Sequence, residues 1–236
     1  MNRFDERITF TTEGFRLESG QVDWRRIQDR LEGGTAAAQV AAEFTVTPVD
    51  LALGLAALGL GDERSLGPPL VHAQPPHPQL RAAVLNTPAG LGGLFPETAE
   101  PRRLALVAAL AQILDFWDES HEAAQQADDR GEGRLANVWH AIAHRREPDH
   151  FNAGYWFRRV NRHPAFPAIA AAVAPLLSDT QARSLTPGAA WDPMAFLDVC
   201  RQATPGSNLE VQARALQRIE MRILVEFTID AMAGSA

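Results

Sequence analysis

From Pro101 to the end of the chain, apolar residues recur at helical spacing, and no alternating strand pattern interrupts them. Helices are expected near 101–127, 134–146, 153–161, 165–177, 192–202 and 208–233. Two starts are marked by capping chemistry. Asp192 precedes Pro193 in the first helical position, and Ser207 precedes Glu210 in a capping box. The fold class expected is all-α, a helical bundle domain over 101–236 with a small N-terminal helical module.

That module covers 1–62. Ile8–Thr12 and Phe15–Leu17 flank Glu13-Gly14 and allow one short β-hairpin. A helix is expected near 22–32, stopping at Gly33-Gly34. A second starts with Thr35 as N-cap. A third has Thr47 as N-cap, Pro48 next and Asp50 in the first turn. The three-helix spacing resembles small helix-turn-helix modules. Its last helix, Val49 to Leu58, offers no Arg, Asn or Gln for base edges. A packing or self-association role, giving a homo-oligomer through this module, is therefore expected rather than DNA binding. The segment 63–100 is a Pro-rich connection, with a short helix near 79–85 and a Gly-rich turn at Gly90–Gly93.

The net charge of −7 argues against a protein that coats nucleic acid or anionic membrane. No apolar run is long enough to span a bilayer, and Met1-Asn-Arg-Phe-Asp-Glu lacks the apolar core of a signal peptide. The single cysteine, Cys200, excludes an internal disulfide, so a cytoplasmic protein is expected. Lysine is absent, so every fixed cation is an arginine, suited to bidentate contact with carboxylate or phosphate.

The chemistry concentrates in Trp139–Arg159, which holds three of the seven histidines, four arginines and the only tyrosine. His140 and His144 stand four residues apart, the spacing of two metal ligands on one helix face, although Ala141 stands where a zincin would carry its glutamate. On a continuous helix 101–127, the stripe Val107, Leu110, Ala111, Leu114 continues through Asp118 and His121, which predicts both to be buried. Glu220 interrupts the stripe of the last helix and calls for a cation, with Arg145 or Arg146 the candidates. Arg145, Arg146, Asp149, Asn152, Tyr155 and Arg158 follow in a segment broken by Pro148 and Gly154, and they are the expected holders of a small anion. Phosphate-loop, dinucleotide, nucleophile-elbow and CxxC motifs are absent from the sequence.

The strings DFWDESH, Asp115–His121, and WHAIAHRREPDHFNAGYWFRRVNRHP, Trp139–Pro164, together with the final helix resemble a bacterial protein family with no assigned activity. The resemblance covers about 60% of the chain, rests on specific strings, and implies no mechanism.

Two readings stand. In the first, a metal-assisted enzyme or binder acts on a small anionic molecule. Asp118, His121, His140, His144 and Glu220 are its catalytic groups, and Asp118, His121, His140 and His144 also ligate a divalent metal ion. The region His140–Arg159 then lines the main concave site. In the second, a non-catalytic interaction protein uses the same residues as a buried polar network that fixes helix packing.

Overall fold

The computed structural model describes residues 3–12 and 14–233. Helix α1 (Arg3–Arg7) leads into an antiparallel sheet of β1 (Ile8–Thr11), β2 (Gly14–Leu17) and the short β3 (Val22–Asp23). Ile8 pairs with Leu17 and Phe10 with Phe15, so the expected hairpin forms and gains a third strand. Three helices follow: α2 (Trp24–Glu32), α3 (Ala37–Glu43) and α4 (Pro48–Leu60). Thr47 and Asp50 close the expected capping box on α4. The cap of α3 is Ala36 and not Thr35.

Helix α4 carries Leu51, Leu53, Leu55, Ala56 and Ala57, all fully buried, and it packs against α2's Trp24 and the bundle helices described next. The connection carries a turn of 3-10 helix ahead of α5 (Arg81–Val84), and its Gly-rich stretch forms a short helix, α6 (Leu91–Leu94), rather than a turn.

The remaining chain is helical: α7 (Glu100–Ile113), α8 (Trp117–Asp129), α9 (Gly133–Arg146), α10 (His150–Val160), α11 (Phe166–Val173), α12 (Asp179–Leu185), α13 (Pro193–Gln202) and α14 (Asn208–Ala233). The bundle expected from periodicity is the fold that forms. Its core is continuous with that of the N-terminal elements, from Phe4 through Leu55 and Leu110 to Met232, because α4 packs on both α7 and α14. Among the described residues no single helix is long and apolar enough to cross a membrane; α3 and α4 pass such a test only together, across a 107° bend.

The expected helix 101–127 is two helices. It breaks at Leu114–Phe116, where Asp115 adopts a positive φ of 63°, a conformation that Asp tolerates better than most residues. Asp115 is held there by Arg146, whose Nη2 lies 2.5 Å from its Oδ1. At the far end of α8, Gly131 (φ +92°) permits a Schellman turn. Glu132 N donates to Ala127 O and Gly131 N to Asp128 O, each 2.9 Å. The chain therefore folds back at once, and α9 lies along α8.

The Pro-rich connection is a strap tied down by polar side chains. Arg146 Nε donates to Pro69 O (2.9 Å), Gln217 Nε2 to Pro68 O (3.0 Å) and Arg214 Nη2 to Gly67 O (2.8 Å). Its backbone also meets the end of α9, where His72 N donates to Arg146 O (3.0 Å).

Candidate metal centre

The fold-back between α8 and α9 sets His121 opposite His140 and His144. One nitrogen from each ring can be chosen so that all three lie within 4.8 Å of one another. The ring centroids are 4.6 Å apart for His121–His140, 4.9 Å for His121–His144 and 5.0 Å for His140–His144. The ring of His121 stands edge-on to the other two, which are stacked on each other one helical turn apart.

Aromatic rings wall the cluster. His140 stacks on Trp156 of α10 with centroids 3.9 Å apart. His121 stacks on Trp117, and Trp117 stacks on His72 of the strap. Trp117 is fixed by its Nε1, which donates to Ala143 O at 2.9 Å. Beyond Trp156 lies the Arg159 guanidinium, 5.1 Å from a ring centroid and paired with Asp128.

Burial sets the electrostatics. His140 is 1% exposed. Its burial, reinforced by the neighbouring His121, His144 and Arg159, pushes its pKa down to about 3. Its Nδ1 is buried with no hydrogen-bond partner. His121 is half-buried, and its pKa is lowered first by burial and then by His144, against the opposing fields of Glu147 and Asp118. His144 donates from Nδ1 to Glu147 Oε2 at 2.9 Å, a tautomer assigned from the partner. That leaves its Nε2 with the lone pair, as in carboxylate–histidine–metal arrangements.

Other residues singled out in the sequence sit differently. Asp118 is exposed at the start of α8, because the helix break rotates it off the apolar stripe; it acts on His121 only through its field. Arg145 and Arg146 are no pocket lining. Their side chains point into the core and are fully buried. Arg145 Nη2 donates to Glu220 Oε2 (2.6 Å), and the other Glu220 oxygen accepts from Trp191 Nε1 (2.8 Å). Glu220 thus completes a buried ion pair and is not among the clustered groups. Arg146 spends its donors on Asp115, Gln112 O (2.7 Å) and Pro69 O.

Asp149 and Asn152 serve the helix start: the Asp149 carboxylate caps α10, accepting from Asn152 N (3.0 Å) and Nδ2 (2.7 Å). Asp149 also forms a second, partly exposed group with His144 and Glu147. Tyr155 and Arg158 face outward on α10.

A cavity of about 340 Å³ reaches Phe157, Arg158 and Asn161 but none of the three rings, and one of about 450 Å³ lies between the N-terminal hairpin and α14. The histidines form a compact cluster at the α8–α9 interface. Sequence reasoning missed His72, Trp117 and Trp156 as its framework. Trp156 falls in the run singled out from the sequence, but its stacking on His140 depends on how α10 packs on α9, and the contact of His72 depends on the strap.

No protein-family model, no curated protein sequence and no solved structure matches the chain.

Proposed function

We propose that His121, His140 and His144 form a divalent-metal centre that carries out metal-assisted chemistry on a small anionic molecule. The observation that carries this reading is the convergence of three imidazole nitrogens within 4.8 Å. Two of the rings have pKa values lowered by burial, so protons compete weakly for their lone pairs. His121, His140 and His144 would each hold such a metal through one ring nitrogen, at the usual imidazole distance of about 2.0–2.1 Å.

Three imidazoles suit zinc, copper, iron or nickel. Three protein ligands with a fourth position left for water or substrate is the pattern of catalytic zinc, whereas structural zinc takes four. The bound metal would supply a Lewis acid and an acidified water. On the protein side, Glu147 orients His144 and Trp156 fixes the plane of His140. Asp118 and Glu147 add negative field at the solvent side, which favours a cation. An anion would therefore be drawn to the metal itself.

The rival reading, a structural polar network, is favoured for a separate set of residues. Arg145–Glu220 and Arg146–Asp115 are buried pairs that tie α9 to α14 and to the α7–α8 break.

Titration of chelator-treated protein with Co²⁺ and Zn²⁺ tests the proposal. Expected is one equivalent bound per chain, with Zn²⁺ displacing the visible spectrum of bound Co²⁺. Absence of saturable binding overturns it.

A further inference from the structure

Arg218 of α14 is 9% exposed, yet it has no hydrogen bond or ion pair to any described residue, and its Nε is buried without a partner. Its aliphatic stem is clamped by the strap. A Cβ placed on Gly67 would fall 3.0 Å from both Arg218 Cβ and Cγ. The guanidinium is therefore held in position without a direct ion pair, with Glu63 and Asp62 acting on it only through their fields. Arginine does not escape burial by losing its proton. Burial first, and then Arg222, holds its pKa below the usual arginine value.

Arg218 lines a cavity of about 450 Å³ bordered by α1, the β1 end of the hairpin, the Gly61–Arg64 turn and α14, and also a second of about 420 Å³ that it shares with Ala172, Leu176 and Ile223. Arg64, Arg218 and Arg222 supply three cations to the lining of the first. Phe4 and Phe10 supply apolar surface, and Thr11 and Thr12 polar groups. Two carboxylates also line it. Asp62 is turned into its own loop, accepting from Arg64 N (3.0 Å) and Ser65 N (3.1 Å). Glu63 is exposed. Both act on Arg218 only through their fields. Arg222 contacts Glu226 at 3.6 Å and lies 5.6 Å from the Phe4 ring centroid.

We infer that this cavity binds a small organic phosphate, its head against Arg218 with Arg222 and Arg64, and its apolar body against Phe4 and Phe10. A planar guanidinium fork matches phosphate oxygens, and the volume is in the range of small-ligand sites. The site is separate from the histidine cluster and stands without it.

The probe is phenyl phosphate, titrated calorimetrically into the full chain in buffer free of other phosphate. Expected is saturable binding at one per chain, weaker for inorganic phosphate and absent for benzyl alcohol. EDTA should leave it unchanged, which separates it from the metal centre. Arg218→Gln should weaken phenyl phosphate binding roughly tenfold or more without lowering the melting temperature. If Arg218→Gln does not fold, the Arg64→Gln, Arg222→Gln double variant takes its place with the same expectation. Absence of saturable binding, or affinity unchanged in the variant, overturns the inference.

Discussion

Arg145 and Glu220 meet across 2.6 Å with side chains 0% and 1% exposed, joining the end of α9 to the middle of α14. The Glu220 carboxylate also accepts from Trp191 Nε1, so one acid satisfies two buried donors. Its loss leaves a full charge in the core, where the remaining acceptor is Gln217 Oε1 at 3.3 Å. Glu220→Ala should destabilise the fold by about 3–5 kcal/mol. Chemical denaturation of the variant measures this, and a change below about 1 kcal/mol would show that Arg145 finds another partner.

This pair was legible in outline. An acid in the apolar stripe of a helix needs a cation, and the chain offers only arginine. The end of α9, the start of α14 and the caps at Thr47 and Asp192 were also legible, because they depend on residues within one turn. The break at Asp115 was not. It is stabilised by Arg146, 31 residues on, and local periodicity runs across it without interruption. The same break moved Asp118 to the surface while leaving His121 facing α9. Two of the three clustered histidines could be read from their spacing. The third was named on a helical-face argument that the break invalidates, and it joins the cluster because Gly131 folds α8 back on α9.

Gly54 reports on the docking of α4. A Cβ there would lie 2.2 Å from Trp24 Cζ3, and Trp24 is itself buried and stacked on Phe15 with centroids 5.2 Å apart. Alanine improves helix propensity by about 0.8–1 kcal/mol. Overpacking against a fixed ring costs about 1–3 kcal/mol. Gly54→Ala should therefore lower stability on balance, and a raised melting temperature would refute the close approach.

His163 supplies a pH dependence separate from the clustered histidines. Its pKa is lowered to about 4, first by burial and then by the Arg134 field, while Nδ1 accepts from Ala165 N at 3.2 Å. The unfolded chain takes up this proton near pH 6.5, whereas the folded chain resists it until about pH 4. The unfolded state thus binds more protons over that window, and stability falls as pH falls. The stabilisation is complete above pH 6.5, and about 3 kcal/mol is lost on the way down to pH 4. His163→Asn keeps an acceptor for Ala165 N but does not titrate, so its denaturation midpoint should vary less between pH 7 and pH 4. Equal slopes for the two proteins would contradict the assignment.

The proposed metal centre makes a sharper demand, because removal of a ligand and removal of a packing group have different signatures. His140 is stacked on Trp156 and almost fully buried, so its truncation costs packing as well as a nitrogen. His121 is half-buried and is the cleaner probe. His121→Ala should abolish tight Co²⁺ and Zn²⁺ binding while changing metal-free stability by less than about 1.5 kcal/mol. Glu147→Ala removes the acceptor that orients His144 and should weaken metal binding by about 10–100-fold without abolishing it. Asp118→Ala, altering only a field at an exposed position, should have the smallest effect of the three. Calorimetric titration of the three variants gives that ranking. If the histidines instead serve packing alone, His121→Ala and Glu147→Ala will shift the melting temperature and leave no metal affinity to compare. A metal that still binds tightly to His121→Ala would place its ligands elsewhere.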